Sequence, residues 1–165
     1  MFIKNLYLVL LIGLLSSCGY HLTGAVKLPE GIKSIYLDGA SPELKARFKN
    51  SFGTDEGKVT DNIENAGIII RIYNEVSQRR ILSLSAGGAA NSFELDYDFN
   101  YDVFDAHNKA LLQNQLVSIK REYYNNQQAV IAKDNEELVI KGEMYRQAVG
   151  SLLNGVKLAL DPSKK

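Results

Sequence analysis

The sequence is poor in the residues on which disulfide, metal and cofactor chemistry depend. Its 165 residues include one cysteine, two histidines, three prolines and no tryptophan. A single cysteine cannot form an internal disulfide bond, so we expect none to stabilise the fold. The histidines, His21 and His107, have no second metal ligand at a suitable spacing, so we predict neither a metal site nor a cofactor.

An excess of charge of one sign is missing too. The chain has 19 basic and 19 acidic residues, and residues 1–17 contribute only Lys4 to that balance. Strong electrostatic attraction to nucleic acid is therefore not expected, and we predict no nucleic-acid partner. The length and the apolar fraction of 45% suit one globular domain with a real core, which we place at residues 18–165.

Motifs of catalysis are lacking as well. The sequence contains neither a G-x-S-x-G nucleophile elbow nor a phosphate-binding P-loop. Asp96 and Asp98 lie two positions apart, on one face of a predicted strand, and could form an acid–base pair. Solvent-exposed acids on an alternating strand explain both residues more simply, so we predict that the protein is not an enzyme.

The longest apolar run lies at the N-terminus. Lys4 is followed by ten mostly apolar residues, Leu6 to Leu15, which are too few for a comfortable membrane span and suit a secretory signal. The run leads into L-S-S-C, residues 15–18, which resembles the lipobox of bacterial lipoproteins. We therefore predict a signal peptide at residues 1–17 and lipidation of Cys18 after cleavage. The alternative is a chance cysteine beside an ordinary signal.

Lipidation would anchor the mature chain in a membrane. Each buried methylene group contributes about 0.8 kcal/mol, and two acyl chains already give stable anchoring. The residue after Cys18 is glycine rather than the aspartate that tends to retain such lipoproteins in the inner membrane. We expect attachment to the outer membrane, with the domain on the periplasmic side.

The first part of the domain favours a strand, a helix and a loop. K-S-I-Y-L at residues 33–37 predicts a short strand that Asp38-Gly39 ends. Ser41 can cap the next helix, with Pro42 at its first position. Apolar residues then recur every four positions, at Leu44, Phe48 and Phe52. The helix is expected to end near Gly53. Residues 54–67 are predicted to be a loop with at most a short strand around Val59.

Strands dominate the middle of the chain. Residues 68–76 and 79–85 favour two strand segments separated by a polar break, and residues 86–91 form a turn. Strict alternation then predicts a long strand with one apolar and one acidic face. The apolar side chains are Phe93, Leu95, Tyr97, Phe99, Tyr101 and Val103. After a turn at residues 105–109, residues 111–123 favour the next strand of an antiparallel meander.

The last element is predicted to be a helix. Asp134 and Glu137 have the spacing of a capping box, which places the start of the helix at Asp134. An apolar stripe follows at helical steps: Leu138, Tyr145, Val149, Leu152, Val156 and Leu160. The order of elements favours an α+β two-layer sandwich, in which two helices pack on a mostly antiparallel four-stranded sheet.

Three groups of cations are candidates for binding an anionic ligand. Arg79 and Arg80 precede the turn at residue 86, Lys120 and Arg121 lie near the end of the meander, and Lys133 precedes the last helix. Arginine and lysine both suit the phosphates of a lipid. The alternative is that these are solvated side chains at the edge of a sheet.

Several stretches resemble the LptE family of LPS-assembly lipoproteins. They are C-G-Y-H-L at 18–22, R-R-I-L-S-L-S at 79–85, F-E-L-D-Y-D-F-N-Y at 93–101, R-E-Y-Y-N-N-Q-Q-A-V-I-A-K-D-N-E-E at 121–137 and E-M-Y at 143–145. They occur in the family's order, and the likeness covers the chain from Cys18 to about Leu160. It implies two helices on a four-stranded sheet, as the residue patterns also predict.

The resemblance also implies a role without catalysis. Proteins of this family sit as a plug in the lumen of a large outer-membrane β-barrel, the LPS-assembly protein LptD. They help that barrel to fold and assist the delivery of lipopolysaccharide to the outer leaflet. The acidic strand face would then meet either solvent or the polar wall of the barrel.

The family's lipopolysaccharide binding maps onto few residues here. Lys133 matches a position associated with that binding. The hairpin turn implicated in the family is S-A-G-G-A-A-N in this chain, without a cation, so Arg79 or Arg80 would have to substitute. The alternative function is a freestanding periplasmic lipid-binding or lipid-carrier lipoprotein, which needs an apolar cavity that two helices on one sheet leave little room for.

Overall fold

The computed structural model of the protein describes residues 34–52, 58–124 and 130–161, without the side chains of residues 58 and 130–135. The predicted signal peptide, Cys18 and His21 lie outside the described residues. Gly53, near which the first helix was predicted to end, also lies outside them.

Within these ranges the chain forms five strands and two α-helices. They are β1 (Ser34–Asp38), α1 (Pro42–Asn50), β2 (Lys58–Val59), β3 (Ile68–Leu84), β4 (Ala90–Asp105), β5 (Ala110–Tyr124) and α2 (Val130–Leu160). The sheet has the order β2-β1-β3-β4-β5. Strand β1 is parallel to both of its neighbours, whereas β3, β4 and β5 form an antiparallel meander.

This architecture confirms the predicted α+β two-layer sandwich. Both helices pack on the same face of the sheet and share one hydrophobic core with it. The four predicted strands are present, and the two-residue β2 adds a short fifth strand at the edge, where a strand around Val59 was expected. The sheet is mixed rather than purely antiparallel because of β1.

The face of the sheet under the helices, which we call the helix face, carries the core. Phe99 and Val103 of β4 are fully buried there together with Leu152 and Val156 of α2 and Phe48 of α1. Each such side chain contributes about 1.5–3 kcal/mol through burial. The opposite, outer face of β4 carries its polar side chains: Glu94, Asp96, Asp98, Asn100 and Asp102.

Helix α1 begins as its sequence predicts. The hydroxyl oxygen of Ser41 accepts a hydrogen bond from the Leu44 N–H at 3.3 Å, and Pro42 occupies the first position. The helix ends at Asn50, three residues before the predicted Gly53, and the following Phe52 packs on Phe48 with ring centroids 5.1 Å apart. The apolar spacing thus continues past the end of the helix.

The carboxylate of Glu75 fastens the start of α1 to the sheet. It accepts hydrogen bonds from the Ser41 N–H at 2.7 Å, the Ser41 hydroxyl at 2.6 Å and the Tyr97 hydroxyl at 2.7 Å. A negative charge at this point also complements the positive end of the helix dipole. Burial, and then the bond to Glu75, raises the pKa of Tyr97, so its hydroxyl stays protonated and donates.

Strand β3 corrects the prediction of two segments with a polar break. It runs without interruption from Ile68 to Leu84 and contains a β-bulge, in which Asn74 and Glu75 together lie opposite Phe99. Asn74 adopts a positive φ of 55°, which asparagine tolerates better than most residues. Because of the extra residue, even-numbered residues of β3 face the helices before the bulge and odd-numbered residues face them after it. The polar stretch therefore marks this change of face and does not interrupt the strand.

Helix α2 corrects the predicted start. It begins at Val130, and Asp134 lies inside it rather than at its cap. No proline or glycine separates these positions, and Ala132 and Lys133 favour a helix, so the capping-box spacing does not set the boundary. Further along, Gly155 leaves room for the Tyr101 hydroxyl, which a β-carbon would overlap, so α2 lies close on the sheet.

Candidate functional site

The two arginines proposed for ligand binding point to opposite faces of the sheet. Arg79 pairs with Leu95 of β4 in the sheet register and lies on the helix face, whereas Arg80 pairs with Glu94 on the outer face. Adjacent residues of a strand alternate between faces, so the two cannot contribute to one site on the sheet. The structure instead builds two separate charged clusters.

The first, which we call the helix-face cluster, comprises Arg79, Tyr123, Glu137 and Lys141. Glu137 of α2 is its centre, and only 17% of that side chain is exposed. Arg79 Nη1 lies 3.0 Å from Oε2, Lys141 Nζ lies 2.7 Å from Oε1, and the Tyr123 hydroxyl donates to Oε2 at 2.6 Å. Three elements, β3, β5 and α2, therefore meet at one carboxylate.

The electrostatics of this cluster keep Glu137 ionised. Burial alone would raise the pKa of Glu137, but hydrogen bonds from Lys141, Tyr123 and Arg79 outweigh it and lower the pKa from 4.5 to about 2. Burial, with the bond to Glu137, raises the pKa of Tyr123, which therefore remains a donor. The guanidinium of Arg79 also lies over the Phe93 ring, 4.9 Å from its centroid, which fixes its orientation.

The second, which we call the outer-face cluster, comprises Arg80, Glu94, Asp96 and Lys120. Arg80 Nε donates to Glu94 Oε1 at 2.6 Å and lies 3.5 Å from Asp96 Oδ2. Lys120 Nζ lies 3.3 Å from Asp96 Oδ1, without the geometry of a hydrogen bond, and 4.0 Å from Glu94 Oε1. Two cations from the flanking strands thus cover two acids of the central strand.

This arrangement corrects the expectation of a solvent-exposed acidic face at Glu94 and Asp96. Their side chains are only 9% and 3% exposed, although no acid was expected to be buried. Cross-strand pairing explains the difference, because Arg80 and Lys120 are long enough to fold over the acids between them. Asp98, two residues further along β4, is partly exposed.

The same contacts weigh against Asp96 and Asp98 as an acid–base pair. Asp96 is enclosed beneath two cations, whereas a general acid or base must come within hydrogen-bond reach of a substrate. Among the residues that the structure describes, no group of three or more histidine, cysteine, aspartate or glutamate side chains could hold a metal ion. His107 lies in the exposed turn between β4 and β5.

The remaining sequence candidates lie in three places. Arg121 is on the helix face and donates to Gln147 Oε1 of α2 at 2.6 Å, whereas its neighbour Lys120 belongs to the outer face. Lys133 lies within α2, four residues before Glu137, but its side chain is outside the described part of the chain. Cys18 lies outside it altogether.

Sequence reasoning missed Lys141 and gave Glu137 the wrong role. Glu137 was predicted to be part of a cap, but it lies within α2 and gathers cations from two other elements. The spacing of Glu137 and Lys141, four residues apart, is a signal of a helical ion pair that the sequence does carry. Its connection to Arg79 depends on the packing of α2 on β3, which no local pattern contains.

A two-layer domain with this order of elements is also the fold of bacterial lipoproteins of known structure. The solution NMR structure of an uncharacterized lipoprotein B from Nitrosomonas europaea is 30% identical and superposes with a TM-score of 0.62, covering 82% of this chain and 88% of that one. The crystal structure of the rare lipoprotein B from Shewanella oneidensis is 22% identical, with a TM-score of 0.58, covering 74% and 92%.

Sequence comparison narrows this class to one family. The family model LptE, described as lipopolysaccharide-assembly, matches residues 32–155. The LPS-assembly lipoprotein LptE of Pectobacterium atrosepticum is 22% identical over 157 residues, covering 90% of this chain and 82% of that protein. The LPS-assembly lipoprotein LptE of Yersinia pestis is 23% identical over 158 residues, covering 91% and 75%. The chain belongs to the LptE family, as its motifs predict.

Membership makes the chain a lipopolysaccharide-assembly lipoprotein of the Gram-negative envelope. An assembly role agrees with the prediction that the protein is not an enzyme. Among the described residues, neither α1 nor α2 combines the length and the hydropathy that crossing a membrane would require.

Proposed function

We propose that the chain is anchored in the outer membrane through a lipidated Cys18 and acts as a plug in an LptD-type β-barrel. In this role it helps the barrel to assemble, assists the transport of lipopolysaccharide to the outer leaflet and binds lipopolysaccharide. The observation that carries the proposal is the match of the LptE family model over residues 32–155, which spans both layers of the sandwich.

Exposed apolar side chains near the β3–β4 hairpin support a large protein partner. Ile81, Leu82 and Leu84 of β3 are 57%, 45% and 60% exposed, and Tyr124 of β5 is 76% exposed. Single exposed apolar residues are ordinary, but several along the end of one hairpin mark an interaction surface. In the proposed complex this end of the sheet is covered.

The helix-face cluster supports lipopolysaccharide binding. Of the three cations proposed for that binding, Arg79 and Lys133 belong to elements that meet at the cluster, namely β3 and α2. Arg79 is 49% exposed and can reach a ligand. Arg80 is engaged with Glu94 and Asp96 on the other face, so we assign it a smaller part in binding.

Affinity purification of the full-length chain from native outer membranes tests the proposal. We expect a large β-barrel protein to co-purify under stringent washing, and mass measurement to show an acylated Cys18 at the mature N-terminus. A matched control carries Cys18→Ser, which removes the lipid without changing the domain. Recovery of the wild-type chain without a barrel partner would falsify the plug role.

The alternative of a freestanding lipid carrier receives less support. A carrier must enclose acyl chains in an apolar cavity, whereas the space between the helices and the sheet is filled by fully buried side chains, including Phe48, Phe99 and Leu152. If the purified chain instead recovered stoichiometric lipid and no barrel, the carrier function would replace the plug.

A further inference from the structure

Two cations of the helix-face cluster are held at the spacing of one carboxylate group. Arg79 Nη1 contacts one oxygen of Glu137 at 3.0 Å, and Lys141 Nζ contacts the other at 2.7 Å. The cations are 49% and 42% exposed, whereas Glu137 beneath them is 17% exposed. A ligand approaching from solvent therefore meets the two positive groups before it meets the negative one.

We propose that Arg79 and Lys141 form a phosphate-binding site for lipopolysaccharide, and that Glu137 competes with the ligand for both cations. The inference rests on the lipopolysaccharide binding proposed above and deepens it, since it assigns Lys141 and the competing carboxylate. A phosphate group presents its oxygens at a spacing close to that of a carboxylate, so it can take two charge-assisted hydrogen bonds from the same pair.

The surroundings of Glu137 make such an exchange possible. When Arg79 and Lys141 turn towards a phosphate, Glu137 retains the hydrogen bond from the Tyr123 hydroxyl at 2.6 Å. The carboxylate is therefore not left without a donor, which would be costly for a group so nearly buried. The stacking of Arg79 on Phe93 holds the guanidinium in place whichever anion it binds.

The arrangement of α2 adds to the site. Lys133, Glu137 and Lys141 follow one another at four-residue steps, so the helix places them in successive turns. The carboxylate of Glu137 repels a phosphate because both are negatively charged. This repulsion is strongest where the carboxylate is shielded from solvent. The native Glu137 thus weakens the affinity that its two cationic neighbours provide.

Binding of lipopolysaccharide to the purified full-length chain in detergent tests the inference. For Glu137→Gln we expect the affinity to rise roughly three- to tenfold, because the amide no longer holds or repels charge. For Lys141→Gln we expect a loss of similar size. Glu143→Gln is the matched control, since Glu143 lies on the same helix in an exposed pair with Arg146, and we expect a change within about twofold.

Lipopolysaccharide from which the phosphates have been removed separates phosphate from sugar carboxylates as the group recognised. The gain in Glu137→Gln should disappear with this ligand, and a gain of the same size would overturn the phosphate assignment. Thermal unfolding of each variant shows whether it is folded, and Lys141→Gln gives a second result should Glu137→Gln be unstable.

Two failures are distinguishable. If the wild-type chain binds lipopolysaccharide but Glu137→Gln binds no more tightly than Glu143→Gln, the competing role of Glu137 is wrong and the proposed function stands. If the wild-type chain does not bind lipopolysaccharide at all, the binding proposed above is wrong, and this inference falls with it.

Discussion

The helix face and the outer face of the sheet both pair cations with carboxylates, but they do so in different proportions. In the outer-face cluster two cations cover two acids, Glu94 and Asp96, which are almost completely buried. In the helix-face cluster two cations share the single carboxylate of Glu137. The charges of the outer-face cluster therefore balance, whereas the helix-face cluster has one positive charge in excess. Arg79 and Arg80, adjacent residues of one strand, therefore belong to clusters with different net charges.

The largest expected effect on stability comes from removing one cation of the outer-face cluster. Lys120→Met removes the cation 3.3 Å from Asp96 while leaving the aspartate buried, so we expect a loss of about 2 kcal/mol in the free energy of unfolding. Chemical denaturation at neutral pH measures it. Adding Asp96→Asn to the same variant should recover part of the loss, and no recovery would mean that Lys120 acts through packing alone.

The next effect compares the two arginines directly. Arg79→Gln should reduce lipopolysaccharide affinity roughly three- to tenfold, because it removes an exposed cation from the helix-face cluster. Arg80→Gln should lower thermal stability and leave the affinity within about twofold of the wild-type value, since Arg80 is paired with Glu94 and Asp96. Equal losses of affinity in both variants would remove the distinction between the faces.

A smaller effect concerns the pH dependence of stability. The pKa of Glu137 is lowered from 4.5 to about 2 by its partners, so its contribution is fully present above pH 4.5 and is lost as the pH falls towards 2. Because the charged partners Arg79 and Lys141 are about half exposed, we expect this contribution to be about 1 kcal/mol or less. The stability difference between wild type and Glu137→Gln should therefore shrink across this window. A difference that stays constant from pH 7 to pH 2.5 would contradict the assignment.

The smallest effect is expected from an ordinary surface pair. Arg146 lies 3.5 Å from Glu143 on α2, with both side chains more than half exposed. Removing either charge should change the free energy of unfolding by about 0.3 kcal/mol. This variant sets the baseline for the other measurements, and a loss as large as that of Lys120→Met would show that exposure does not separate the pairs.

The sequence predicts the architecture well because local patterns carry it. Alternation along Phe93–Val103 predicts the long β4, and Ser41-Pro42 predicts the start of α1. The same alternation misled on the acidic face, because burial of Glu94 depends on the strands beside it. A single strand shows that polar and apolar residues alternate, but its neighbours decide whether the polar row is exposed.

The candidate site is less predictable for a related reason. Glu137 is 58 positions from Arg79 and 14 from Tyr123 in the sequence. The cluster therefore forms only when the three strands are in register and α2 is packed on them. Composition and spacing could nominate Arg79 as a cation, and the spacing of Glu137 and Lys141 indicates a helical pair. Neither pattern could indicate that they meet.

The β-bulge at Asn74 has a consequence for the comparison of this chain with its relatives. Ile68, Ile70 and Ile72 face the helices, and strict alternation from them would place Arg80 on the helix face as well. Because the bulge adds one residue, Arg79 lies on that face instead. At identities near 22%, an alignment that misplaces a single gap here would match an arginine of the helix face in one protein to an arginine of the outer face in another. Residues of β3 in two members of the family can therefore be compared only after their bulges have been aligned.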